Sequence, residues 1–147
     1  MSTINGRACV VDGVAVDKVF SDGKQVYGRN LITRTGELAN TMVAPNGTIS
    51  YNIGSALMAD KITVTPSETL IFSRFGDSTI GDNIFRYGFY TDTDVLVARA
   101  YSNDYHFTVT VPANATKLKV SYPVGSQVKL ERGETYSSWT PAPEDVI

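Results

Sequence analysis

Residues 107–122, FTVTVPANATKLKVSY, decide the class of fold. On both sides of the break at residues 112–115, apolar residues alternate with polar ones, which is typical of strands that bury one face. The same period of two recurs at residues 85–90 and 128–131, and turn residues separate such segments at intervals of about ten residues. No helical pattern lies between them, whereas parallel strands need a long and usually helical crossover. We therefore predict an all-β chain built on an antiparallel β-sandwich.

The segments on the N-terminal side of this region are less regular. Residues 61–75 and 95–101 predict further strands beside polar turns. Residues 35–60 are interrupted by Gly, Asn and Pro, which break both strand and helix patterns. We expect that stretch to be mostly loop, with one or two short strands or helical turns.

Two Asp-Gly pairs mark the first 28 residues, at positions 12–13 and 22–23, each between short runs of β-forming residues. Asp-Gly in that setting is a strong hairpin signal, because the tight turn needs positive φ angles. We predict a meander of three short strands, which is marginally stable without a surface to pack on. Residues 1–28 are therefore interpreted as a hairpin attachment segment and residues 29–147 as the sandwich domain. The alternative is that the hairpins are extra strands of a single domain.

The composition excludes several classes of protein. The chain has 147 residues and a net charge of -2, so no broad basic surface is expected to bind nucleic acid or an anionic membrane. No apolar run approaches the roughly 18 residues of a membrane span. Cys9 is the sole cysteine and His106 the sole histidine, which excludes an internal disulfide and the usual zinc sites.

Catalytic patterns are scarce, so we predict that the protein is not an enzyme. His106 begins a predicted strand, with no nucleophile motif beside it. The carboxylates that could pair for glycoside hydrolysis all fall in predicted turns, where Asp is common for local reasons: Asp77, Asp82, Asp92, Asp94 and Asp104. No cofactor is predicted. Residues 81–83 and 91–94 offer oxygen ligands of the kind that structural calcium accepts, but turn composition explains them equally well.

The most informative feature is a set of tyrosines at strand ends or on the polar face of the alternation, together with arginines on neighbouring strands. A tyrosine ring can stack on the C–H face of a sugar, and a guanidinium can bond to hydroxyls, carboxylates or phosphates. Both residue types are also ordinary on open sheet faces. The candidate carbohydrate-binding residues are Tyr51, Arg74, Arg86, Tyr90, Arg99, Tyr101 and Tyr105.

The C-terminal stretch 128–145, VKLERGETYSSWTPAPED, resembles the end of a known family of domains. These are the jelly-roll, carbohydrate-binding-module-like domains of tail and baseplate proteins from phages that infect Gram-positive bacteria. Residues 28–31, 88–92 and 107–122 are similar to the same family, so the resemblance covers about residues 28–147. It implies a jelly-roll fold and a virion setting. The ending is a framework motif with Trp139 as an anchor, so no ligand contact is carried over from it.

Together these observations predict a non-catalytic module of a phage tail or baseplate that binds host cell-wall polysaccharide. It would be made in the host cytoplasm and reside in the virion, attached to other tail proteins through residues 1–28. Several copies would supply avidity, which a shallow saccharide site needs. The alternative is a purely structural virion protein that decorates the tail or neck. A cell-wall glycosidase is a third option, for which the turn placement of the acidic residues is unfavourable.

Overall fold

The computed structural model describes residues 7–78 and 80–146. Within that range the chain is all-β, and a single 3₁₀ turn at Pro143–Asp145 is its one helical element. The described residues contain no helix long and apolar enough to cross a membrane. The strands are β1 (Val10–Val11), β2 (Val14–Ala15), β3 (Lys18–Ser21), β4 (Lys24–Gly28), β5 (Leu38–Val43), β6 (Ile49–Leu57), β7 (Ile62–Thr63), β8 (Thr69–Arg74), β9 (Phe85–Tyr90), β10 (Leu96–Ser102), β11 (His106–Thr110), β12 (Lys117–Pro123) and β13 (Val128–Arg132).

Two antiparallel sheets form the body of the molecule. The large sheet has the order β10-β9-β12-β6-β5, with β7 also paired to β12, and the small sheet has the order β11-β8-β13. Phe72 of the small sheet is fully buried, and its ring centroid lies 4.9 Å from those of Tyr87 in the large sheet and Phe107 in its own. Aromatic packing between the sheets therefore fills the core of a β-sandwich. The predicted antiparallel all-β class is confirmed, whereas the jelly-roll topology stays a prediction.

The prediction for residues 35–60 is wrong. Instead of loop, this stretch contains β5 and the nine-residue β6, and it has no helical turn. Gly54 and Asn40 adopt positive φ angles of 96° and 54° inside the pair, where its register shifts. Two of the residues that suggested a loop therefore lie in a bulge, which bends a strand without ending it.

The bulge directs the tip of the β5–β6 hairpin, residues 43–49, across the outer face of the large sheet. Val43 donates its N–H to Ser121 Oγ at 3.1 Å and accepts from Arg99 Nη2 at 2.8 Å. Tyr90 donates its hydroxyl to the Gly47 carbonyl at 2.6 Å. Polar side chains of β9, β10 and β12 thus hold the tip in place. The tip divides the outer face of the large sheet into two parts.

Both Asp-Gly pairs form the predicted tight turns. Asp12 and Gly13 have φ angles of 51° and 78°, and Asp22 and Gly23 have 52° and 76°. Four short strands form here, in two separate hairpins, where three were predicted. The segment meets the sandwich where the Gly28 N–H donates to Ser137 Oγ at 3.0 Å. Residues 1–6 of the predicted attachment segment lie outside the described residues.

The C-terminal motif builds the framework on the side of the small sheet. Lys129 and Glu131 point away from the core yet are fully buried, because the tail covers them. Lys129 Nζ donates to Ser137 Oγ at 2.9 Å, and that hydroxyl donates to Glu131 at 2.8 Å. The Asp145 carboxylate accepts the backbone N–H groups of residues 34 and 35. The tail therefore lies extended over the sandwich, as the two prolines predict.

Candidate functional site

Strand register places four of the seven predicted residues on one face of the large sheet. Phe85, Tyr87 and Phe89 of β9 point into the core, so the residues between them point outward. Arg86 on β9 is paired with Tyr101 on β10, and both lie on this outer face. Arg99 and Tyr90 lie further along the same two strands. Side chains from β12 continue the face, since Ser121 is paired with Arg86.

A compact network of polar side chains occupies one end of this face. Arg86 Nη1 donates to Ser55 Oγ at 3.0 Å and lies 3.3 Å from Asp82 Oδ2. Asn52 Nδ2 donates to the same two groups, at 2.8 Å to Ser55 and 2.7 Å to Asp82. We call Asn52, Ser55, Asp82 and Arg86 the polar cleft. It joins β6 to β9 and the loop directly before β9, so two segments about 30 residues apart in the sequence converge on it.

Two local features position Asp82 in the cleft. A Cβ on Gly54 would lie 2.9 Å from the Asp82 Cβ, so glycine at the β6 bulge permits the close approach of the loop. The positive φ of Gly54 also suits glycine. Asp82 Oδ1 accepts the N–H of Ile84 at 3.3 Å, a bond that an aspartate at the start of a turn commonly makes.

The polar cleft combines partial burial with opposite charge. The Arg86 and Asp82 side chains are 14% and 17% exposed, so their ion pair is partly shielded from solvent. The pair also keeps its hydrogen bonds to neutral partners, which offsets the cost of burying charge. Carboxylate and amide oxygens accept hydrogen bonds while guanidinium and amide groups donate them. The cleft therefore places hydrogen-bond donors and acceptors side by side, an arrangement that matches adjacent hydroxyl groups of a sugar.

One exposed ring and several apolar side chains border the cleft. Tyr101 is 65% exposed, and the Arg99 guanidinium carbon lies 5.5 Å from its ring centroid. Another predicted tyrosine, Tyr51, is 72% exposed and lines a different shallow groove, with Asn40 and Ile49 among others. Beside Asp82 lies a shallow groove of about 500 Å³, lined also by Ile53, Ile80 and Asn103 among others. A flat ring next to hydrogen-bonding groups is the arrangement that protein sites use to bind sugars.

Tyr90 and Arg99 lie on the predicted face but hold the hairpin tip. Tyr90 is 4% exposed, its hydroxyl is bonded to Gly47, and burial raises its pKa. The Arg99 guanidinium donates through both Nε and Nη2 to the Val43 carbonyl, and burial lowers its pKa. The structure therefore gives these two residues a positioning role, with their polar groups directed at the hairpin tip.

Arg74 and Tyr105 lie apart from the polar cleft and connect loops at the same end of the sandwich. Arg74 is buried and donates to Asp77 Oδ1 at 2.6 Å and to the Asn103 carbonyl at 2.8 Å. The Tyr105 ring lies 4.1 Å from its guanidinium carbon. The Tyr105 hydroxyl donates to the Asp77 carboxylate, as Arg74 does. Both bonds lower the pKa of Asp77, and the bond from Tyr105 contributes most. Arg74 thus supports the groove from behind, through Asn103.

The residues weighed for catalysis and for calcium have other partners. His106 stacks on Tyr136 with ring centroids 3.7 Å apart, and its Nδ1 lies 2.9 Å from Ser73 Oγ. Burial lowers the pKa of His106. Asp94 accepts hydrogen bonds from two lysines, and the first of these, from Lys61, contributes most to lowering its pKa. Among residues 7–78 and 80–146, no three His, Cys, Asp or Glu side chains converge as metal ligands would.

The predicted binding residues do not include Asn52, Ser55 or Asp82. Asn52 and Ser55 lie in the stretch that was predicted to be mostly loop, and Asp82 was interpreted as a turn residue. The sequence contained one signal for Asp82. It stands four residues before Arg86, which lies near the start of a predicted strand, so an ion pair between them was within reach. With this geometry established, comparison with known proteins adds no assignment, since no family model and no curated protein matches the chain.

Proposed function

We propose that this protein is a non-catalytic carbohydrate-binding module of a phage tail or baseplate, which recognises saccharide of the host cell wall. The observation that carries the binding function is the exposed Tyr101 ring beside the polar cleft of Asn52, Ser55, Asp82 and Arg86. The virion setting is supported by the resemblance of residues 28–147 to domains of tail and baseplate proteins.

In this proposal the ligand lies along the end of the outer face that the hairpin tip leaves open. The Tyr101 ring stacks on one sugar unit, and Asp82 and Arg86 bond to the hydroxyls of that unit or the next. The groove beside Asp82 is shallow and open, so a single site binds weakly. Repetition of the module in a virion would convert weak sites into useful avidity.

A purely structural role in the virion is the second candidate. Its specific support is the exposure of three large apolar side chains on the N-terminal hairpins: Val11, Val14 and Phe20. Exposed apolar residues on short hairpins are typical of surfaces that pack on another protein. The two roles use different parts of the chain, so attachment through the hairpins is compatible with saccharide binding at the cleft.

The test is binding of the fluorescently labelled protein to intact Gram-positive cells and to their purified wall polysaccharide. We expect Tyr101→Ala to weaken binding about fivefold or more, because it removes the stacking surface. Asp82→Asn keeps the shape but removes the charge, and we expect a loss of about tenfold. Tyr136→Ala is the matched control, since Tyr136 is exposed on the opposite side of the sandwich and should leave binding unchanged.

Thermal unfolding of each variant confirms that any loss is local. Equal binding by the wild-type protein, Tyr101→Ala and Asp82→Asn would contradict the cleft as the site. Absence of binding to a panel of cell walls, even with the protein clustered on beads, would favour the structural role instead.

A further inference from the structure

Three lysines line a second groove, on the other side of the hairpin tip from the polar cleft. Lys117 and Lys119 project from β12 on the outer face, as their pairing with the outward Tyr90 and Gly88 shows, and Lys61 precedes β7. The groove has a volume of about 470 Å³. We call Lys61, Lys117 and Lys119, with the space between them, the lysine groove.

Shared partners hold the three ammonium groups close together. Lys61 and Lys117 both donate to Asp94 Oδ1, at 2.9 and 3.2 Å. Lys61 and Lys119 both lie over the Tyr90 ring, with Nζ 5.5 and 5.2 Å from its centroid. Asp60 also lines the groove, so the three positive charges face two negative ones.

Lys119 is the lysine of the groove that forms no salt bridge with a described carboxylate. In the described part of the chain its ammonium donates no hydrogen bond, and it is only partly exposed. Burial lowers its pKa, repulsion from Lys61 acts in the same direction, and attraction to the Asp94 carboxylate offsets part of this shift. An anion that binds in a half-closed groove stabilises an ammonium held there beside like charges, because opposite charges attract more strongly where solvent is partly excluded.

The other wall of the groove is apolar. Leu38 and Ile49, from the two strands of the hairpin, are 46% and 49% exposed there. Side chains of this kind suit the C–H face of a sugar ring or a polyol, and they contribute nothing to binding a small inorganic ion. The lining therefore matches a ligand that carries both an anionic group and an aliphatic or sugar backbone.

We infer that the lysine groove binds an acidic glycan segment, in which a phosphate diester or a carboxylate bonds to Lys119 while the polyol backbone lies on Leu38 and Ile49. The inference rests on the proposed function and adds the charge class of the ligand. The two sites lie on one face with the hairpin tip between them, so a single polymer can occupy both.

The test measures binding of the protein to three defined polymers and to single-stranded DNA. Poly(glycerol phosphate) carries phosphate diesters, polygalacturonate carries carboxylates, and dextran is neutral. We expect one of the acidic polymers to bind, dextran to bind at least tenfold more weakly, and the affinity to fall as salt screens the charges. The stronger acidic polymer identifies the anionic group. DNA binding as tight as that of both acidic polymers would overturn the inference in favour of unspecific polyanion attraction.

Lys119→Met tests the groove itself. Methionine keeps an apolar stem over Tyr90 but removes the charge, and we expect a loss of about tenfold for the acidic polymer. Lys24→Met is the matched control, since Lys24 is exposed beside the turn of the second N-terminal hairpin. Unchanged affinity of Lys119→Met would overturn the inference.

Tyr101→Ala separates this inference from the proposed function. If Tyr101→Ala loses wall polysaccharide while Lys119→Met retains it, the cleft stands and the lysine groove fails. If Lys119→Met alone loses binding, the groove stands and the cleft fails. If both variants bind as the wild type does, both assignments are wrong.

Discussion

Asn30 joins the start of the sandwich domain to its end, and its removal should destabilise the whole fold. The side chain is buried and makes four hydrogen bonds. Its Nδ2 donates to the carbonyls of Val128 and Thr140 at 2.9 and 3.0 Å. Its Oδ1 accepts the backbone N–H groups of Ile32 and Leu130 at 3.0 and 3.1 Å. These bonds link β13, the C-terminal tail and the segment that follows β4.

The size of the effect follows from the groups that Asn30→Ala leaves behind. The two backbone N–H groups lose the acceptor shown for them, and a buried unsatisfied polar group costs about 1–3 kcal/mol. The Val128 carbonyl keeps the indole N–H of Trp139 as a donor, so less is lost on that side. We expect the free energy of unfolding to fall by about 3–5 kcal/mol, and the melting temperature to fall by about 10 °C.

Urea titration followed by circular dichroism measures this change. Asn46→Ala is the control, because Asn46 is exposed and its side chain accepts only local bonds from Thr48. We expect the control to cost less than about 1 kcal/mol. A loss below 1 kcal/mol for Asn30→Ala would refute the reasoning, since it would mean that the four bonds do not couple the two ends of the domain.

Two further predictions concern the same framework. Burial lowers the pKa of Lys129 from 10.5 to about 8, so between pH 8 and 10 the unfolded chain binds more protons than the native one. The free energy of unfolding of the wild-type protein, measured relative to that of Lys129→Met by urea titration at each pH, should therefore rise by about 2 kcal/mol across that interval. Trp139 is half-buried and donates to the Val128 carbonyl at 3.1 Å. Trp139→Ala should cost about 2–3 kcal/mol and Trp139→Phe about 1 kcal/mol by the same titration, and equal stability of all three proteins would contradict an anchoring role.

Alternation was sufficient to predict β9, β11, β12 and β13, because each of these strands packs apolar side chains into the core. It failed for β6, where Gly54 and the polar residues around it form a bulge in place of a loop. A local sequence pattern reflects only the secondary-structure preference of each residue. The pairing of β6 with β12 is a contact between distant segments, and such contacts override local preference.

The candidate site could be predicted in part, for the same reason. The period of two placed Arg86 and Tyr90 on the polar side of β9, and strand register shows that Arg99 and Tyr101 lie on the same face. The hairpin tip determines which of these four side chains stay exposed. Its contact with Tyr90 spans 43 residues of sequence, and its contact with Arg99 spans 56 residues. No local signal indicates that crossing. The exposure of these side chains could therefore not be predicted from the sequence. Their division into binding and positioning residues depends on that exposure, so it could not be predicted either.

The recognisable motif and the proposed ligand contacts lie on opposite sides of the sandwich, and this separation has a consequence. Lys129, Glu131 and Asn30 are buried in bonds that hold the tail against the small sheet, so their identities are constrained by the fold. Asp82 and Lys119 stand on the far face, where the framework places few demands on them. A ligand can therefore change through substitutions in the loop before β9 or on β12 while the framework motif stays intact. For that reason the motif indicates a fold, and the ligand has to be inferred from the charges and rings of the outer face.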